Sequence, residues 1–119
     1  MKFVYASRNG HVEGIVNRLD LQEAMKIKDG SEKIDGDFVL FTYTDGQGII
    51  PKIVENFLAE NKGIKAVVGS GNVERHPDTF NFAADKIAEQ FNVPVLAKVN
   101  MDGTEAELKD IKAKIEAMQ

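Results

Sequence analysis

Three short segments of this 119-residue chain gather residue types that bind polar ligands. They are Ser7-Arg8-Asn9-Gly10-His11-Val12, Thr42-Tyr43-Thr44-Asp45-Gly46-Gln47-Gly48, and the run from Ser70-Gly71-Asn72-Val73 through Arg75 and His76 to Asp78. Each follows an apolar, strand-like stretch. The first also precedes Val12, Ile15, Val16 and Leu19, the spacing of one helix face. Free N–H groups and the helix dipole suit such a place to phosphate. Ser7 and Asn9 add side-chain donors there, Gly10 a close turn, and Arg8 and His11 positive charge. The plainer alternative is that Ser7 or Asn9 caps the helix. In the second segment Gly46 and Gly48 admit close approach of a flat ligand. Thr42 and Thr44 supply hydroxyls and Tyr43 an aromatic face. The alternative there is a glycine turn with Tyr43 packed on the surface.

Other chemistries lack their residues. There are no cysteines, so disulfides, thiolate metal sites and thiol redox chemistry are absent, and redox work requires a bound cofactor. The two histidines, His11 and His76, lie at no metal-ligand spacing. Gly69-Ser70-Gly71-Asn72-Val73-Glu74 lacks the third glycine of a dinucleotide fingerprint. No Walker A loop and no G-x-S-x-G elbow occurs. A phospho-receiver would need acids where Ala6-Ser7 and Phe41-Thr42 stand. A net charge of −4 argues against nucleic acid as a partner. With no signal pattern and no run of membrane-spanning length, the expectation is a cytoplasmic protein with no membrane partner.

Apolar runs predict strands at 2–6, 24–27, 38–42, 64–69 and 95–99. Helix stripes fall between them. One begins at Pro51 and carries Ile53, Val54, Phe57 and Leu58, and Gly63 is placed for a left-handed cap at its end. Another runs through Phe80, Ala84, Ile87, Ala88 and Phe91 until Asn92-Val93-Pro94. The last opens on the capping-box pair Thr104 and Glu107 and carries Leu108, Ile111, Ile115 and Met118. Too few residues separate the second and third strands for a crossover helix, so that helix is expected to be missing or vestigial. The reading is one α/β domain over 1–119, with a flavodoxin-like five-stranded parallel sheet, order 2-1-3-4-5, and helices on both faces. Ligands of such sheets sit beyond the carboxyl ends of the strands, where the loops after strands 1, 3 and 4 meet.

The three segments together resemble the NrdI family of small flavodoxin-like FMN proteins that serve class Ib ribonucleotide reductase. The resemblance spans nearly the whole chain, including the short segment between strands 2 and 3, Ile50-Pro51 and Asn92-Val93-Pro94. The T-Y-T-x-G-x-G pattern followed by S-G-N is its most specific part. It implies an FMN-dependent redox accessory protein. A reductant supplies the flavin, reduced flavin reacts with O2, and the oxidant activates the dimanganese-tyrosyl radical cofactor of the reductase small subunit. By position, Ser7, Asn9, Gly10 and His11 would hold the phosphate, with Arg8 and Val12 in the same loop. Thr42, Tyr43, Thr44, Asp45, Gly46, Gln47 and Gly48 would line one side of the ring, with Gly46 the best backbone contact to the reactive nitrogen. Gly71, Asn72, Val73 and His76 would line the other side. The chain departs from the family's S-x-T-G-N first loop at Asn9 and His11, carries Asp45 and Gln47 in the second, and lacks the aromatic of the third. These departures predict weaker FMN binding than the family norm, with Tyr43 or His76 as the stacking partner, and Asp45 repelling an anionic flavin. Two other readings compete: a flavodoxin-like docking module with weak or lost FMN binding, and a generic electron-transfer flavodoxin.

Overall fold

Along the apolar run 38–43, alternate side chains bury on opposite sides of one sheet. Val39 and Phe41 join a core with Val12, Ile15, Leu108 and Ile111, while Phe38 and Leu40 join another with Val54, Phe57, Ala84 and Ile87. A strand covered on both faces needs no polar alternation, which is why this run reads as continuously apolar. A computed structural model describes residues 1–21 and 23–119, with Gln47 described by its backbone alone.

The strands are β1 (Lys2–Tyr5), β2 (Met25–Lys26), β3 (Phe38–Tyr43), β4 (Ile64–Gly71) and β5 (Val95–Asn100). They pair in parallel in the order β2-β1-β3-β4-β5. Helices α1 (His11–Arg18) and α4 (Glu105–Met118) cover one face, and α2 (Lys52–Glu60) and α3 (Phe82–Phe91) the other. The fold is flavodoxin-like, in the order the sequence predicts. The capping box forms as well, Thr104 Oγ1 accepting from Glu107 N–H at 3.1 Å and Glu107 Oε1 from Thr104 N–H at 2.8 Å. Among the described residues no helix is long and apolar enough to cross a membrane.

Two boundary readings need correction. Gly63 takes no left-handed cap: α2 ends at Asn61 in extended conformation, and Gly63 is absent from the positive-φ residues. Its small size serves close approach instead, because a Cβ there would overlap the Gly36 carbonyl oxygen. Phe80 does not begin α3. Buried Asn81 stands in left-handed conformation (φ 56°) and delays the helix to Phe82.

The connection from β2 to β3 contains no helix, as expected. Polar side chains order it instead. The Glu32 carboxylate accepts from the N–H groups of Lys28, Asp29 and Gly30 at 2.7, 3.3 and 3.0 Å. Burial works to raise its pKa, but these donors outweigh burial and hold the carboxyl below its ordinary value. Asn61 at the end of α2 anchors the same loop. Its Oδ1 accepts from Ile34 N–H and its Nδ2 donates to the Glu32 and Phe57 carbonyls, all at 2.9 Å. Asn61 is 5% exposed, so water cannot replace these bonds. Replacing Asn61 by Leu strands the Ile34 N–H and the Glu32 carbonyl, while the Phe57 carbonyl keeps its bond from the backbone N–H of residue 61. The substitution is expected to lower the unfolding free energy by about 2–3 kcal/mol, measured by urea denaturation, and to speed hydrogen exchange at Ile34.

Candidate functional site

Parallel pairing sends β1, β3 and β4 out at the same edge, and the segments that follow them enclose a cavity of about 400 Å³. That volume falls in the range of small-molecule sites. Ser7, Arg8, Asn9, His11 and Val12 line it from the first segment. Tyr43, Thr44 and Gly46 line it from the second, and Gly71, Asn72 and His76 from the third. Three further residues line it: Ser70 and Arg75, which belong to the third segment but were given no ligand role, and Met101, which the sequence did not single out. Arg75 sits one residue before His76 and carried a readable signal, a cation in a loop already suspected. Met101 follows β5 and carried none.

The remaining sequence candidates have other places. Gly10 is the residue before α1 and stands at φ 89°, a conformation favouring glycine, with nothing within 4 Å of a Cβ position. Thr42 is buried, and its hydroxyl donates to the Tyr43 carbonyl at 2.9 Å. Gly48 is buried beside Phe82. Val73 is exposed next to the lining residue Asn72. The side chain of Gln47 lies outside the described residues.

The hydroxyls and amides of the loops mostly serve the loops themselves. Ser7 Oγ accepts from Glu13 N–H at 3.2 Å and so takes one donor of the first turn of α1. Gly14 is the first to bond back along the helix, to the Gly10 carbonyl at 2.9 Å. Thr44 Oγ1 accepts from Ala83 N–H at 3.1 Å, tying the second loop to α3. Asn72 Oδ1 accepts from Glu74 and Arg75 N–H, both at 3.1 Å, and tightens the third loop into a turn. The Gly46 N–H goes to Asp45 Oδ1 at 2.9 Å. The contact expected from Gly46 therefore falls to its carbonyl, or requires the Asp45 bond to open.

Charge is arranged in pairs. Arg8 Nη1 donates to Asp45 Oδ1 at 2.6 Å and bridges the first and second loops. The same guanidinium lies over the Tyr43 ring, 4.8 Å from its centre. The Arg8 hydrogen bond, then the Gly46 N–H, holds the Asp45 carboxyl below its ordinary pKa. The repulsion that Asp45 would exert on an anionic ligand is thus met by a counter-charge. Burial pushes the Tyr43 phenol up, Arg8 opposes that, and Asp45 adds to it, so Tyr43 stays neutral at physiological pH. Among the described residues no Asp or Glu lines the cavity, whereas Arg8, Arg75, His11 and His76 do. The site favours an anionic ligand with a flat apolar part. Among the described residues no cluster of His, Asp and Glu could hold a metal ion.

The family model described as NrdI flavodoxin like matches residues 3–113. Protein NrdI of Bacillus licheniformis is 31% identical over 116 residues, covering 98% of this chain and 88% of that protein. Protein NrdI of a Ruegeria species is 35% identical over 118 residues, covering 92% and 83%. Among solved structures, Fusobacterium nucleatum flavodoxin bound to flavin mononucleotide is similar with a TM-score of 0.72 at 17% identity, over 98% of this chain and 95% of that one. Oxidised Flavodoxin 2 from Bacillus cereus gives 0.68 at 22%, over 98% and 97%. At these identities the structural likeness concerns the fold.

The Asp45 pairing has a measurable sign. A carboxyl whose pKa is depressed on folding stabilises the fold above its unfolded value, about 3.9. That contribution disappears as pH falls through the folded value. The Asp45 carboxyl carbon is expected to titrate in NMR below the unfolded value, and Arg8→Gln is expected to move its midpoint upward.

Proposed function

The chain belongs to the NrdI flavodoxin-like family, and from that premise we propose an FMN-binding redox protein acting on the small subunit of a class Ib ribonucleotide reductase. It would supply electrons, or an oxidant derived from reduced flavin, to the dimanganese-tyrosyl radical cofactor of that subunit. A separate flavin reductant would keep it charged, and its setting would be the cytoplasm.

The observation that carries the reading is the cavity at the carboxyl edge of β1, β3 and β4. Its lining offers groups suited to each part of FMN. The α1 N-terminus, with Asn9, Gly10 and His11, suits a phosphate. Ser7, Thr44, Ser70 and Asn72 offer polar atoms to a ribityl chain. Tyr43 is the aromatic face for the ring, and Gly46 and Gly71 allow backbone to approach it. The Fusobacterium flavodoxin of the same fold is described with flavin mononucleotide bound. Bound FMN supplies the one- and two-electron chemistry that a cysteine-free chain lacks.

The protein's own residues then have distinct tasks. Arg8 and Asp45 join two walls of the cavity and hold Tyr43 beneath the guanidinium. For the ring to use that face of Tyr43, Arg8 must swing aside. The cationic lining favours an anionic cofactor electrostatically. Ile49, Val73 and Phe82 are large apolar side chains exposed beside lining or loop residues, and they offer a contact surface for a partner protein.

Titration with FMN is expected to quench flavin fluorescence and sharpen its visible bands. Protein loaded with reduced FMN and exposed to O2 is expected to raise the tyrosyl-radical signal of a manganese-loaded small subunit, read by electron paramagnetic resonance. No binding of FMN, with partner binding retained, would establish a docking module instead. FMN binding with two well-separated one-electron potentials and no radical yield would establish a generic flavodoxin.

A further inference from the structure

A fourth segment, outside the three expected loops, reaches the cavity. It joins β5 to α4 and contains Met101, Asp102 and Gly103. Met101 lines the cavity and stands at φ 55°, which is uncommon for a residue with a side chain. Bonds on both sides hold it there. Its N–H donates to the Gly71 carbonyl at 2.7 Å, and its carbonyl accepts from Ser70 Oγ at 2.5 Å.

This placement delivers Asp102 to α1. Asp102 Oδ1 lies 2.5 Å from His11 Nδ1. Arg18, two turns further along α1, donates to the Asp102 and Gly103 carbonyls, both at 3.3 Å. Gly14 explains how the carboxylate fits. A Cβ at that position would stand 3.2 Å from Asp102 Oδ2, tighter than most Cβ contacts. Glycine inside a helix weakens it by about 1 kcal/mol relative to alanine, and here it clears space for this carboxylate.

Building on the FMN reading, we propose that Asp102 is a positioning residue for His11, fixing its ring so that Nε2 serves the 5′-phosphate of FMN. With Nδ1 held by a carboxylate, Nε2 is the nitrogen left for a ligand, and His11 lines the cavity at the α1 N-terminus. As imidazolium, His11 would donate from Nε2 to the phosphate and from Nδ1 to Asp102. No covalent bond changes. The charged and titratable groups around it are Asp102 and Arg18 behind, and Arg8, Arg75 and His76 around the cavity. The phosphate loop thereby gains a ligand whose donating form at Nε2 is the protonated one, so FMN binding is expected to favour lower pH.

Comparing FMN with riboflavin isolates the phosphate. Both are titrated by flavin fluorescence into the full chain, native, Asp102→Asn and His11→Gln, between pH 6 and 8. The native protein is expected to prefer FMN. His11→Gln is expected to weaken FMN binding roughly ten- to a hundredfold, the value of a hydrogen bond to a charged group, and Asp102→Asn about tenfold. Riboflavin affinity is expected to stay the same in all three, which also reports that the cavity is intact. The FMN preference of the native protein is expected to fall with rising pH more steeply than that of His11→Gln. Equal losses for both flavins in Asp102→Asn, no loss in either, or identical pH profiles would overturn the role of Asp102 while leaving the FMN site standing. Failure of the native protein to bind either flavin would overturn the cofactor reading, and this inference with it.

Discussion

Parallel pairing of β3 with both β1 and β4 is the constraint on which the site rests. In a parallel sheet every strand leaves by the same edge, so segments far apart in the chain emerge side by side. Tyr5 lies beside Phe41, and Tyr43 beside Ser70. The loops that follow inherit that adjacency. Parallel sheets require cover on both faces. The two cores supply it, divided by the alternation of Phe38, Val39, Leu40 and Phe41. The cavity is therefore a consequence of core packing on both sides of one strand.

Once the loops meet, electrostatics organises them. Among its described residues, a chain of net charge −4 lines its cavity with four basic or imidazole side chains and no carboxylate. Two of those groups have a carboxylate partner: Arg8 with Asp45, and His11 with Asp102. Each pair joins elements distant in sequence, 37 and 91 residues apart. Both are partly exposed, so their worth to stability is small. Their effect is to orient groups that face the cavity. In the same way Thr44, Ser70 and Asn72 spend hydrogen-bonding capacity on shaping the loops.

Sheet order, helix stripes, the capping box at Thr104 and the missing helix after β2 were legible because each depends on local pattern. Period and turn chemistry are written in adjacent residues. Three features were not legible for the opposite reason. Gly63 reads as a helix cap from its place after α2, yet the packing of Gly36 against it governs its role. Phe80 continues a helical stripe on paper, but buried Asn81, which donates to the Val99 carbonyl, starts the helix later. Asp45 reads as an isolated charge beside a ligand until Arg8 is seen beside it. Most of the expected site residues line the cavity, whereas Thr42 and Gly48 are buried next to it.

The sequence by itself determined the fold, the family and the three segments from which the site is built, since these follow from hydrophobic periodicity and from motifs contiguous in the chain. Only the tertiary structure decided which polar atoms those segments keep free, which charges they neutralise, and that a fourth segment carrying Met101 and Asp102 joins them. Those outcomes depend on contacts between residues dozens of positions apart, and no local pattern encodes the partner that folding will bring.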